Sequence, residues 1–211
     1  MPHWVIGVDL DNTLVRYDEL MVQEAVSRGL LSPDVGLVKR SIRDRIRQRP
    51  QGEIEWQKLQ ALVYGPKIGE ANLAPGAKEF LISCRAQDVQ VYVISHKTMY
   101  ANFAETPVDL RTAALNWMRA HRFFDPQRMG LHPQDVFFES TRSEKIRRIA
   151  SLGCTHFIDD LEETFLEEGF PAQVEKILYA PGGAPSAIPG VRVAVNWRAI
   201  DEYVGSSLAQ R

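Results

Sequence analysis

Cysteine is scarce in this chain. The two present, Cys84 and Cys154, lie far apart and outside any CxxC pair, which argues against a disulfide framework and against a zinc site. Long apolar runs are missing too. No stretch approaches the roughly 18 apolar residues of a membrane-spanning helix, so none is expected. Nor is there an excess of one charge. The 25 basic and 27 acidic residues leave a net charge of −2, which gives no signal for nucleic acid or for a membrane surface. His3, His121, His132 and His156 show no ligand spacing. Internal repeats and low-complexity tracts are absent. An acidic strand end is reached by residue 9, so no secretory leader is expected ahead of it. From these absences the expected setting is a reducing cytoplasm.

What is present is an ordinary globular composition, 45% apolar over 211 residues. That suits one domain with an insert and is enough for a sizeable core. The most informative stretch is Val5-Ile6-Gly7-Val8-Asp9-Leu10-Asp11-Asn12-Thr13-Leu14. Its apolar half reads as a buried strand. The strand ends in two carboxylates one residue apart, an arrangement that repulsion and desolvation both penalise. A cation beside them would remove the penalty.

Three helices follow. One spans about Glu19–Arg28, with Gly29 as its stop. One starts at Ser32-Pro33 and carries Val35, Val38, Ile42 and Ile46 as an apolar stripe. One spans about Glu53–Tyr64, with Trp56, Leu59 and Val63 on one face. From Ala74 the rhythm alternates: a helix after Pro75-Gly76, a strand at Val89–Ile94, a helix near Val108–His121, a strand at Val136–Phe138. Then come a helix whose start, Thr141 to Glu144, fits a capping box, a strand at Thr155–Ile158, another helix, strands at Lys176–Tyr179 and Val191–Val195, and a closing helix from Trp197. Such alternation predicts an α/β fold, a Rossmann-like parallel sheet with helices on both faces. Residues 1–17 and 74–211 are expected to form that α/β domain, and residues 18–73 a small all-helical insert.

In an open parallel sheet the chemistry collects at the carboxyl ends of the strands. Asp9 and Asp11, Ser95, Lys145, and Asp159 with Asp160 can all meet there. Two carboxylate pairs, a hydroxyl and an ammonium are the groups that metal-assisted phosphoryl transfer needs. Taken singly these residues have plainer readings. Asp160 with Glu163 makes a capping-box pattern. A lysine in a first helical turn opposes the helix dipole, so Lys145 is not there for the helix. The basic run Lys39, Arg40, Arg43, Arg45, Arg47 and Arg49 reads as the solvated face of an amphipathic helix, with attraction of an anionic substrate as the alternative. Trp56 reads as core of the insert.

In order along the chain, DLDNTL at Asp9–Leu14, VYVIS ending at Ser95, Lys145 early in a helix, and HFIDD ending at Asp159-Asp160 resemble the four signatures of the haloacid dehalogenase (HAD) superfamily. The resemblance covers the α/β domain, and an insert after the first signature is a habit of that family, there called a cap. It implies a Mg²⁺-dependent phosphatase acting on a small phosphate ester. Asp9 would be the nucleophile and form an aspartyl-phosphate. Asp11 would protonate the leaving group and then activate water, with its backbone carbonyl on Mg²⁺. Ser95 and Lys145 would bind the phosphate, with Leu10 and His96 beside them. Asp160 would bind Mg²⁺ directly, with Asp159 next to it. An acid at the second position separates phosphatases and phosphomutases from dehalogenases and ATP-driven pumps. The resemblance leaves open Lys97 in place of Lys145 at the phosphate, a phosphomutase or phosphotransferase outcome, and a non-catalytic Mg²⁺- or phosphate-binding module. Substrate contacts are expected from the insert and from the loop Met99–Asp109.

Overall fold

The computed structural model describes residues 4–32, 39–183 and 185–209. Its contacts divide the chain into two units: one made of the residues up to Leu14, Leu73–Lys97 and those from Arg122 onward, the other of Val15–Asn72 and Thr98–His121.

The first unit is built on β1 (Val5–Val8), every residue of which is buried. A strand covered on both faces needs an unbroken apolar run, and this one lies at the middle of the sheet. The strands β4 (Gln90–His96), β5 (Val136–Glu139), β6 (His156–Asp159), β7 (Glu175–Tyr179) and β8 (Val191–Ala194) complete it in the order β5-β4-β1-β6-β7-β8, all parallel. Chain order therefore reverses beside β1, the place where parallel sheets open a crevice at their carboxyl ends. Val8 pairs with Val93 on one side and with Ile158 on the other. Gly7 allows a close approach, since a Cβ there would meet the Phe157 ring at 2.5 Å.

Helices α4 (Ala77–Ala86), α6 (Arg142–Ser151), α7 (Glu162–Leu166) and α8 (Trp197–Ala209) belong to this unit. On one face Ile94, Phe157 and Leu178 pack with Ile146 and Ile149 of α6 and Phe165 of α7. Tyr179, one residue past Leu178 and so on the other face, packs on Trp197 at 5.5 Å, and Trp197 meets Phe80 of α4 at 5.1 Å. Helices thus cover both faces, as the alternating pattern predicts. Helix α6 starts as expected. The Thr141 hydroxyl accepts the Glu144 N–H at 3.1 Å, and the Glu144 carboxylate accepts the Thr141 N–H at 3.0 Å. Thr141→Ala should lower stability by about 1 kcal/mol, read as a fall of a few degrees in a thermal melt.

The second unit holds α1 (Asp18–Ser27), α2 (Lys39–Arg47), α3 (Gly52–Tyr64) and α5 (Leu110–Ala120), with a two-residue strand β2 (Val15–Arg16); the short β3 (Asn72–Leu73) stands where its first stretch of chain ends. Ile42 and Ile46 of α2 are fully buried, as are Leu59 and Val63 of α3. The expected start of the second helix at Pro33, with Val35 and Val38, lies outside the described residues. Residues 98–121 were expected in the α/β domain, because a helix between two strands reads as a crossover. Their contacts lie with the helical unit instead. Helix α5 packs on α3 and on the turn Ile68–Glu70, and the buried Trp117 donates its indole N–H to the Ala71 carbonyl at 2.8 Å. No described helix is long and apolar enough to cross a membrane.

Candidate active site

The site lies where β1, β4 and β6 end side by side in the first unit. The Asp9 N–H donates to the Ile158 carbonyl at 2.9 Å, so the β1–β6 ladder runs one residue past the strand and brings Asp9 beside Asp159. The chain then turns sharply. The Leu14 N–H donates to the Leu10 carbonyl at 3.0 Å. Asn12 takes the left-handed conformation with φ 63°, a strain of the order of 1 kcal/mol that asparagine tolerates better than most residues.

Lys145 lies in the first turn of α6 and is 3% exposed. Its ammonium donates at 2.6 Å to Asp9 Oδ1 and at 2.6 Å to Asp159 Oδ2. The other Asp159 oxygen accepts the Leu161 N–H at 2.9 Å, which pins that carboxylate to the turn before α7. Burial pushes the Asp9 carboxyl up to about 6; the Asp159 and Asp11 charges push the same way, against Lys145. Burial works against the Lys145 charge as well, but Asp159 and Asp9 outweigh it and its pKa is raised. The ammonium is therefore firmly charged, while at Asp9 burial together with the neighbouring carboxylates outweighs it.

Asp160 completes a cluster with Asp9 and Asp159. Each offers a carboxylate oxygen, and all three oxygens lie within 4.8 Å of one another. The capping alternative for Asp160 is not what the structure shows. Helix α7 has Leu161 as its N-cap residue, with no side-chain capping bond. Asp11, one turn residue beyond Leu10, is held by a different lysine: Lys97 Nζ lies 3.0 Å from Asp11 Oδ1 and 2.7 Å from Oδ2.

No protein-family model matches this sequence, and no curated protein matches it either. Solved structures do match. A haloacid dehalogenase-like hydrolase from Streptococcus pneumoniae is 16% identical with a TM-score of 0.60, over 96% of this chain and 98% of that one. A HAD family hydrolase from Deinococcus radiodurans is 14% identical with a TM-score of 0.58, over 99% and 96%. A HAD-superfamily hydrolase from Geobacter sulfurreducens is 14% identical with a TM-score of 0.56, over 96% and 97%. The chain has the fold of the HAD hydrolases.

On this HAD fold, the residues singled out from the sequence do not all come together. Asp9, Asp159, Asp160 and Lys145 meet in space, and Asp11 is tied to Lys97. Ser95 is buried at the end of β4, two residues beyond the Val8–Val93 rung, and Leu10 is fully buried beside the two aspartates. His96 is different. Strand alternation turns it to the face opposite Ser95 and Lys97, where it is exposed and its Nε2 lies 3.1 Å from the Ser140 carbonyl oxygen. Partial desolvation of the ring, with Lys145 and Arg142 nearby, lowers its pKa against the opposing Ser140 contact. Elsewhere, burial pushes the Cys84 and Cys154 thiols up to about 12, which removes both as nucleophiles. In the helical unit Arg43 pairs with Asp44 at 2.9 Å and Arg47 with Glu53 at 2.6 Å, in keeping with a solvated, self-paired face. Trp56 is buried, 2% exposed.

That each lysine meets its own carboxylate is not legible in the sequence, which offers Lys97 and Lys145 as rivals for one role. A signal was present. Lys97 stands two residues after Ser95, hence on the same side of the strand end.

Proposed function

We propose that the chain is a Mg²⁺-dependent phosphatase that hydrolyses a small phosphate monoester through an aspartyl-phosphate on Asp9. The observation that carries this reading is the single buried group formed by Asp9, Lys145 and Asp159, with Asp160 within reach and Asp11 one turn away under its own lysine.

The donor set fits a hard divalent cation. Three carboxylates with converging oxygens suit Mg²⁺ and would suit a soft metal poorly, and Asp9 is buried with Asp159 and Asp11 close enough to add to the effect of burial on its pKa. Asp9, Asp159 and Asp160 would hold the ion, with the Asp11 backbone carbonyl beside them. When bound, it supplies charge neutralisation for the carboxylates and the phosphate oxygens.

The chain's own groups carry the remaining chemistry. An Asp9 oxygen attacks phosphorus as the ester P–O bond breaks, and Asp11 gives a proton to the departing alkoxide, which at neutral pH is too basic to leave alone. Water then attacks the aspartyl-phosphate while Asp11 takes back a proton, releasing inorganic phosphate and Asp9. Lys145 holds Asp9 in place and offers its charge to the transferring group. Ser95 is positioned to donate its hydroxyl to a phosphoryl oxygen. On this reading the helical unit, inserted after the first signature, is the cap, and in that role it would exclude water and choose the leaving group. The Deinococcus radiodurans hydrolase of the same fold was solved with bound phosphate and sodium, which supports anion and cation binding on this scaffold.

The test is a screen of phosphate monoesters from metabolism, assayed for released inorganic phosphate. Turnover with Mg²⁺ should be lost on chelation and regained when Mg²⁺ is restored in excess. Turnover indifferent to chelator, or Mg²⁺ binding in calorimetry with no turnover across the panel, would count against the reading.

A further inference from the structure

Lys97 has no role in the mechanism above, yet it is 3% exposed at the end of a catalytic strand. Its main chain is fixed, the N–H donating to the Glu139 carbonyl at 2.9 Å, and the Glu139 side chain is in turn held by Arg148 at 2.7 Å. From that anchored position one ammonium lies 2.7 and 3.0 Å from the two oxygens of the same Asp11 carboxyl. Contact with both oxygens fixes the carboxyl's plane as well as its location. Stability alone is a poor reason for such a pair. Burying the Lys97 charge against a half-buried carboxyl costs roughly what their attraction returns, and apolar replacements for such pairs are often neutral or better.

We propose that Lys97 is the positioning residue for Asp11: it holds the acid–base carboxyl in the orientation that serves the leaving group, while Lys145 serves the nucleophile. The proposal rests on the phosphatase reading. It assigns each of the two aspartates of the first strand end its own lysine, and it makes the contribution of Lys97 depend on how much the leaving group needs a proton. An alkoxide needs one; a stabilised phenolate departs without it.

The experiment compares benzyl phosphate with para-nitrophenyl phosphate by kcat/KM, which reports the steps up to departure of the leaving group. Lys97→Met should lower kcat/KM for benzyl phosphate by about 30-fold or more, with a change of only about threefold for para-nitrophenyl phosphate, since general acid–base help is worth about 10²–10⁴ only where it is used. In an Asp11→Asn background, adding Lys97→Met should change benzyl phosphate turnover by less than about twofold, because the group it serves is gone. Lys97→Arg should recover part of what Lys97→Met loses. Lys97→Gln gives the same comparison if the methionine variant melts below the assay temperature. Equal loss on both esters would place Lys97 on the phosphoryl group and overturn the proposal, as would no loss on either, or full additivity with Asp11→Asn. If the wild-type protein turned over neither these esters nor any of the metabolite panel, the phosphatase reading itself would fail and this proposal with it.

Discussion

Asp9→Asn is expected to abolish phosphatase turnover while leaving the fold intact. An amide oxygen neither attacks phosphorus at a useful rate nor gives a hydrolysable acyl phosphate, and removing a nucleophile costs about 10⁴-fold or more. The same substitution removes one of the three carboxylates of the cation cluster, so Mg²⁺ affinity in calorimetry should fall with activity. Stability should move the other way, and with a definite pH dependence. Burial holds the Asp9 pKa at about 6, above the 3.8 it has when exposed. The folded protein therefore keeps this proton more tightly than the unfolded chain, and the stability this supplies is fully present below about 4 and lost as pH rises through about 6. The amide that replaces the carboxyl in the variant does not titrate. Thermal melts in chelator should show the variant gaining on the wild type as pH rises from about 4 to about 7. A difference constant across that range would mean that Asp9 is not the buried, partly compensated carboxyl described above, and full activity in the variant would remove Asp9 from the chemistry.

Lys145→Met should be the most destabilising single change at the site. The ammonium lies 2.6 Å from both Asp9 and Asp159, and all three side chains are buried. Its loss leaves two carboxylates facing each other in low dielectric. Removing one partner of a buried ion pair costs about 3–5 kcal/mol, which for a protein of this size is a fall of roughly 10 °C in Tm. Activity should drop by about 100-fold or more, as when an aligned charge at a transition state is removed. Adding Asp159→Asn to the same variant should restore part of the stability, because it takes away one of the two uncompensated buried charges, but none of the activity. Lys97→Met should cost less stability, since the Asp11 side chain is 16% exposed and water can take over part of its solvation. If Lys145→Met melted like the wild type, the three-group cluster would not be closed to water.

Much of the first unit is legible locally. Val5–Val8 is apolar throughout because both its faces are covered, and Thr141 with Glu144 announces the start of α6 by a contact only three residues long. Strand ends followed by aspartate mark the edge of the sheet without any knowledge of what lies across it. The helical unit is less legible. Helix α5 has the length and position of a crossover between β4 and β5, and its chain order alone assigns it to the α/β domain. Only its packing, with Trp117 donating to Ala71 46 residues away, sets it apart. His96 shows the same limit at the scale of one residue: adjacency to Ser95 suggests a shared site, whereas the pleat of the strand sends neighbours to opposite faces.

The sequence by itself determined the kind of fold, the order of its elements and the set of groups delivered to the sheet edge. Those follow from periodicity, capping and turn chemistry, which act over a few residues. The tertiary structure decided how those groups pair. Lys145 reaches Asp9 across 136 residues of chain and Asp159 across 14, and Lys97 reaches Asp11 across 86. Which ammonium meets which carboxylate depends on strand order and register, and a one-dimensional pattern does not carry either.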